Sequence, residues 1–216
     1  MKSIDPSETK EWWLNNRIAD RPEVLLASYN CKIIRVDDTT GAKDISLANR
    51  VKAANNGNAD VYISIHHNAG VNGGVTGGTE VYYYNSKAER QKQATALYNA
   101  LMDKTGLRGN RSTPVKNYAF YVIKHTKMPA FLIENGFMDS KTDVPIILTS
   151  EHAERTAQAI LRFLVEQFGL KQTATVEEEK SPNAIYRVQV GAYSVKANAE
   201  AMQKKLKASG FDAVIV

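Results

Sequence analysis

Apolar residues recur along residues 1–169 with two alternating periods. Leu14, Ile18 and Leu25 share one face of a helix predicted over 10–28. Pro22 falls inside it and should kink it, because proline removes a hydrogen bond and crowds the carbonyl of Ile18, at ~3 kcal/mol. Residues 31–36 are short and β-branched and read as a strand. Residues 44–56 carry Leu47, Val51 and Ala54 at helical spacing, with Asp44 as N-cap. Ala59 to His66 is almost continuously apolar, as in a strand covered on both faces.

A loop rich in glycine and asparagine follows, from Asn68 to Gly78. Further strands are predicted at Thr79–Tyr84, Tyr118–Ile123 and Ala130–Glu134, and a helix at Lys87–Lys104. The amphipathic helix Glu151–Phe168 buries Ala157, Ile160, Leu161, Leu164 and Phe168. Strands alternating with helices predict an α/β domain with a mostly parallel mixed sheet flanked by helices.

The pattern stops after Gly169. Residues 170–183 are polar, include three consecutive glutamates, and read as a linker. Residues 184–216 form a small β-α-β half module: a strand at Ile185–Tyr193, a helix at Lys196–Ser209 stopped by Gly210, and a strand at Phe211–Val216. The predicted organisation is thus 1–169, a 170–183 linker, and 184–216.

The composition is ordinary for a globular chain, at 43% hydrophobic and 24% charged. The net charge of +5 is modest and its lysines and arginines are scattered, which speaks against a nucleic-acid partner and suits either a polyanionic surface or a slight basic excess. No apolar run is long enough for membrane insertion. Residues 1–6 lack the apolar core of a signal peptide, so an extracellular site of action implies another route, such as host lysis. The single cysteine, Cys31, is expected as a small core residue.

Three places carry candidate chemistry. Ser64-Ile65-His66-His67-Asn68 lies where a strand meets the glycine-rich loop, the usual end for α/β active sites. Period-two alternation puts His66 on the face of Ser64 and His67 on the other. Either histidine is a candidate ligand or a satisfied polar residue, with Asn68 as a supporting group. Phe131-Leu132-Ile133 delivers Glu134 to a strand end before Asn135-Gly136, which suits a sharp turn, and apolar surroundings raise a carboxyl toward a useful general base. Alternatively, Glu134 leaves the sheet for solvent. Glu11, or similarly Glu8, opens the first helix, where the helix dipole alone favours a carboxylate. His125 is expected near the cleft at a strand end, and His152 on the surface.

The ordered set is more specific than any one motif. Asp5-Pro6, Glu11 with Asn15, Ile18 and Ala19, Arg35 to Asp38, Leu47 with Arg50, Ala59-Asp60, Ser64 to Asn68, and Met128-Pro129 leading to Ile133-Glu134-Asn135-Gly136-Phe137 follow in sequence. Together they resemble the type-3 zinc-dependent N-acetylmuramoyl-L-alanine amidases. Tyr186 to Tyr193, Ala197-Asn198-Ala199 and Gly210-Phe211 resemble the first half of a sporulation-related repeat (SPOR) domain. The pairing is similar to that in amidases that lyse the mother cell of spore-forming bacilli and in some phage endolysins.

The resemblance implies the zinc amidase fold, a Zn2+ cofactor, and hydrolysis of the bond between N-acetylmuramic acid and L-alanine in peptidoglycan. It makes Glu11 and His66 zinc ligands, Glu134 the catalytic carboxylate, and His67, Asn68 and Asn135 supporting or substrate-contacting groups. It assigns glycan binding to the face around Gln189. The implied partner is peptidoglycan, glycan strands and stem peptide both. The implied location is the cell wall or the exterior after release. The chain is expected as a monomer, with dimerisation through the half module as the alternative.

The sequence departs from the family in one respect that bears on the metal. The family's Gly-His-Gly-Gly loop has no counterpart after Asp5-Pro6, so its first zinc histidine is missing. Three outcomes stay open: a non-catalytic peptidoglycan-binding remnant, recruitment of Glu8 or His67, or a shortened form of an active parent.

Overall fold

Strand β4 (Ala130–Phe137) organises the domain through its pleat. Phe131 and Ile133 point to one face, packing with Val81, Tyr83, Leu97, Leu101, Ile160 and Phe163. Ala130 and Leu132 point to the other, packing with Tyr62, Tyr82, Val51 and Ile123. The computed structural model describes residues 10–85, 87–173, 196–208 and 213–215.

In chain order the elements are α1 (Glu11–Leu26), α2 (Leu47–Asn56), β1 (Tyr62–Asn68), β2 (Thr79–Tyr83), α3 (Ala88–Thr105), β3 (Val115–Asn117), α4 (Tyr121–His125), β4, α5 (Val144–Ile147), α6 (Ser150–Phe168) and α7 (Lys196–Ala208). The sheet order is β1-β4-β2-β3. β1 and β4 run parallel, as do β2 and β3, while β2 and β4 are antiparallel. The expected mostly parallel mixed sheet is therefore present. Helices α1, α3 and α6 cover the Phe131 face, and α2 and α4 cover the Leu132 face. Phe131 and Phe163 meet edge to face at 5.4 Å, and truncating either to alanine would cost about 3–5 kcal/mol.

Several expectations change. Residues 31–36 are in no strand, and Cys31 is exposed rather than in the core. Ile33–Val36 and β1 line one cavity of about 780 Å³, and no ladder joins residues 31–36 to the described sheet. α2 begins later than expected, because Ser46, not Asp44, caps it, accepting from Asn49 N at 3.3 Å. Asp44 pairs with Arg50 instead. The predicted strand over 118–123 is irregular to Phe120 and then helix α4, which buries Val122 and Ile123 on the α2 side; the strand lies just before it, at β3. Asn135-Gly136 does not turn the chain away. β4 continues to Phe137 with Gly136 at φ +97°, opposite the irregularity between His66 and Asn68. Pro22 lies within α1, which stays helical, and Leu26 is buried where Leu25 was expected.

The chain divides into two compact units after Thr175. In the second, α7 is present where predicted, with Gln203 Nε2 donating to Ala213 O. Residues 213–215 are not in a strand, against the prediction for 211–216. The predicted strand at 185–193, Gln189 and Gly210 lie outside the described residues, as do Asp5, Pro6 and Glu8.

Candidate active site

The register places three side chains in one row across the sheet. His66 on β1 is the partner of Glu134 on β4, and Glu134 is the partner of Glu80 on β2. All three share the α2 and α4 face with Ser64 and Tyr82, as period-two alternation requires. The row lies at the carboxyl ends of the parallel pair β1 and β4, where the glycine-rich loop begins.

Glu11 enters from the first turn of α1. Its Oε1 lies 2.8 Å from His66 Nδ1 and accepts from Asn15 Nδ2 at 3.1 Å and from the His67 amide at 3.3 Å. His66 Nε2 lies 3.0 Å from Ser64 Oγ. Burial pushes the Glu11 carboxyl up, but the bonds from His66 and Asn15 outweigh it and hold its pKa at about 2. Glu11 is an anion at neutral pH.

Glu134 goes the other way. Burial, reinforced by the negative charges of Glu11 and Glu80, raises its pKa to about 8. Its Oε2 is buried without a hydrogen-bond partner among the described residues. A protonated carboxyl suits that position better than a bare carboxylate. Such a group exchanges a proton near neutral pH, as general acid–base catalysis requires.

Glu80 is fully buried and ionised. Burial pushes it up, but hydrogen bonds from Lys116, Tyr82 and Arg111 outweigh that and keep its pKa below the ordinary carboxylate value. Lys116 Nζ and Arg111 Nε donate to Oε1 at 2.6 and 2.7 Å. Tyr82 Oη and Asn68 Nδ2 donate to Oε2 at 2.7 and 3.2 Å. Sequence reading missed Glu80, although it showed the same signal as Glu134, a carboxylate inside an apolar strand.

The supporting residues divide between the two faces. Asn135 Nδ2 donates to the His66 carbonyl at 3.0 Å, and Asn68 holds Glu80. His67 points to the opposite face, where its Nδ1 lies 2.8 Å from Asn15 Oδ1. Burial lowers its pKa to about 3. His152 lies beside it, ring centroids 6.5 Å apart, buried at the start of α6 and not on the surface as expected. Helical spacing explains this, since His152 precedes the buried Thr156 by one turn. His125 is at the exposed end of α4, stacked on Tyr121, and not at a strand end.

The zinc implied by the resemblance finds two donors here, Glu11 and His66. Catalytic zinc takes three protein ligands. Among the described residues no group of three or more His, Cys, Asp or Glu side chains converges as a metal cage. The Glu11–His66 contact of 2.8 Å is also shorter than the ~3.3 Å that two donors keep around tetrahedral zinc at 2.0–2.1 Å bonds. The described residues therefore do not fit a complete zinc site.

Comparison with known proteins gives the lineage. Residues 3–166 match the family model of N-acetylmuramoyl-L-alanine amidase, and residues 157–216 match the SPOR domain. The sporulation-specific N-acetylmuramoyl-L-alanine amidase of Bacillus subtilis (strain 168) is 32% identical over 177 residues, covering 82% of this chain and 64% of that protein. The N-acetylmuramoyl-L-alanine amidase CwlM of Bacillus licheniformis is 32% identical over 218 residues, covering 99% of this chain and 78% of that protein. The catalytic domain of the amidase CwlV from Bacillus (Paenibacillus) polymyxa var. colistinus superposes with a TM-score of 0.67 at 27% identity, covering 79% of this chain and 91% of that one. An N-acetylmuramoyl-L-alanine amidase from Clostridium difficile 630 gives 0.66 at 28% identity, covering 76% and 87%. In fold and sequence alike, the chain belongs to the N-acetylmuramoyl-L-alanine amidase family.

Proposed function

We propose that this chain hydrolyses the amide between N-acetylmuramic acid and L-alanine in peptidoglycan, with Glu134 as the proton carrier. The observation that supports it is the row His66–Glu134–Glu80, in which a carboxyl of pKa about 8 stands between an imidazole and an ionised carboxylate. As general base, Glu134 takes a proton from the attacking water. As general acid, it returns that proton to the amine of L-alanine as the carbon–nitrogen bond breaks. Asn135 fixes the His66 backbone, and Asn15 fixes Glu11.

Zinc would supply carbonyl polarisation and water activation when bound, with Glu11 and His66 as its donors in this chain. No third His, Cys, Asp or Glu side chain joins them among the described residues. The C-terminal unit is read as holding glycan strands through the face around Gln189. The site of action is the cell wall, reached after release, and the working form is a monomer. Among the described residues no helix is long and apolar enough to cross a membrane.

A second reading, a peptidoglycan binder without turnover, is favoured by the two-donor set and the closed Glu11–His66 contact. One paired experiment separates them. Purified sacculi are incubated with the protein, and new L-alanine amino termini are counted while bound zinc is measured. Release with bound zinc, lost on chelation, supports the amidase. Co-sedimentation with sacculi without release leaves the binder.

A further inference from the structure

Glu80 uses two cations where one would neutralise it. Arg111 Nε and Lys116 Nζ both donate to the same oxygen, Oε1, while Tyr82 and Asn68 occupy Oε2. One negative charge thus faces two positive ones. The carboxylate is fully buried, yet Arg111 and Lys116 keep 31% and 28% of their side-chain surface exposed. Arg111 spends only Nε on Glu80, so its outer guanidinium edge, the pair of terminal nitrogens, has no hydrogen-bond partner among the described residues. Its position is held from below by Phe137, whose ring centroid lies 5.3 Å from Cζ. Lys116 is fixed in turn over the Tyr82 ring at 5.4 Å. Two oriented cations with a surplus positive charge at a water-accessible mouth are a built anion receptor.

The location says which anion. The receptor stands on Glu80, the register partner of Glu134, one strand spacing of about 4.8 Å away. An extended peptide advances about 3.5 Å per residue. A carboxylate one residue beyond the L-alanine of a scissile amide at Glu134 therefore falls within reach. In a peptidoglycan stem that residue is D-glutamate, linked onward through its side-chain carboxyl, with its α-carboxyl free or amidated.

We propose that Arg111 and Lys116 form a subsite for the free α-carboxylate of the second stem-peptide residue, so that the chain discriminates against stems amidated there. The proposal rests on the peptidoglycan amidase reading, but binding alone tests it. The affinity of the intact chain is measured by calorimetry for two ligands, N-acetylmuramoyl-L-alanyl-D-glutamate and N-acetylmuramoyl-L-alanyl-D-isoglutamine. The expected result is tighter binding of the acid by about tenfold at low salt, as a charge-assisted hydrogen bond gives. In Arg111→Gln the two affinities should converge to within about twofold, and in Arg111→Lys part of the preference should remain. Thermal unfolding of each variant checks its fold, and Lys116→Gln replaces Arg111→Gln if the latter does not fold.

Equal affinities in the wild type, no binding of either ligand, or equal weakening of both ligands by Arg111→Gln would overturn the subsite. Turnover of the same ligands reads the other question. Preference for the acid with no cleavage leaves the subsite standing and removes the amidase reading. Cleavage of both ligands at equal affinity does the reverse.

Discussion

Glu80 and Glu134 stand opposite each other on antiparallel β2 and β4, yet they titrate in opposite directions. Like charges placed directly across a ladder destabilise a sheet. This sheet keeps the pair by neutralising each member differently: Glu80 with Arg111 and Lys116, Glu134 with a proton. Environments that push two carboxyls apart in this way separate a fixed charge from a mobile proton.

The retained proton on Glu134 makes stability depend on pH. The ordinary value is 4.5 and the folded value about 8. Between them the folded chain holds a proton that the unfolded chain has lost, so stability falls as pH rises through that window. Glu134→Gln removes this loss. Its stability relative to the wild type should grow from about pH 5 to about pH 8, by up to about 4 kcal/mol, as read by denaturant unfolding. A pH-independent difference would show that Glu134 titrates normally.

Removing the fixed charge should act on both partners. Glu80→Gln leaves Arg111 and Lys116 without their buried carboxylate and should destabilise by about 3 kcal/mol. It also removes one of the negative charges that raise Glu134. Carboxyl-carbon NMR titration should then find the Glu134 midpoint below that of the wild type. An unmoved midpoint would mean the two carboxyls are not coupled.

Much of this arrangement was legible in the sequence. His66, Glu134 and Glu11 were found because strand ends and a helix start can be read locally, and an ordered motif set joined them. Glu80 was not, because the meaning of its charge depends on Arg111 and Lys116, 31 and 36 residues away. The edge of the sheet was misread for a related reason. Residues 31–36 are β-branched and suit a strand, but strand formation needs a partner, and no described strand pairs with them. Residues 120–123 are as apolar as a strand, yet one helical turn buries Val122 and Ile123 against Leu132. Composition fixes what is buried more firmly than it fixes the backbone that buries it.

Asn15 links the two faces of β1. It donates to Glu11 and lies against His67 Nδ1, while His67 Nε2 is buried without a hydrogen-bond partner among the described residues. Asn15→Leu keeps the volume and leaves His67 with neither ring nitrogen bonded. The expected loss is about 2 kcal/mol in denaturant unfolding. A loss below about 0.5 kcal/mol would place this contact among the dispensable ones.

The loop under the site depends on close backbone approach. Asp143 Oδ2 accepts from Gly78 N at 2.7 Å and Phe137 N at 2.9 Å, tying the glycine-rich loop to the end of β4. A Cβ at Gly77 would run into the Asp143 carboxylate. Gly77→Ala should therefore destabilise by about 2 kcal/mol or more and reduce hydrogen-exchange protection at the Gly78 and Phe137 amides. Unchanged protection would show that the loop yields without cost.

The central claim is that Glu134 carries the proton in amide hydrolysis. Its most direct test is the initial rate of L-alanine amino-group release from purified sacculi by the wild type and by Glu134→Gln, both checked for folding. The account predicts measurable release by the wild type and a loss of about 10²–10⁴-fold in the variant. Equal rates in the two proteins, or no release by the folded wild type with zinc supplied, would contradict it.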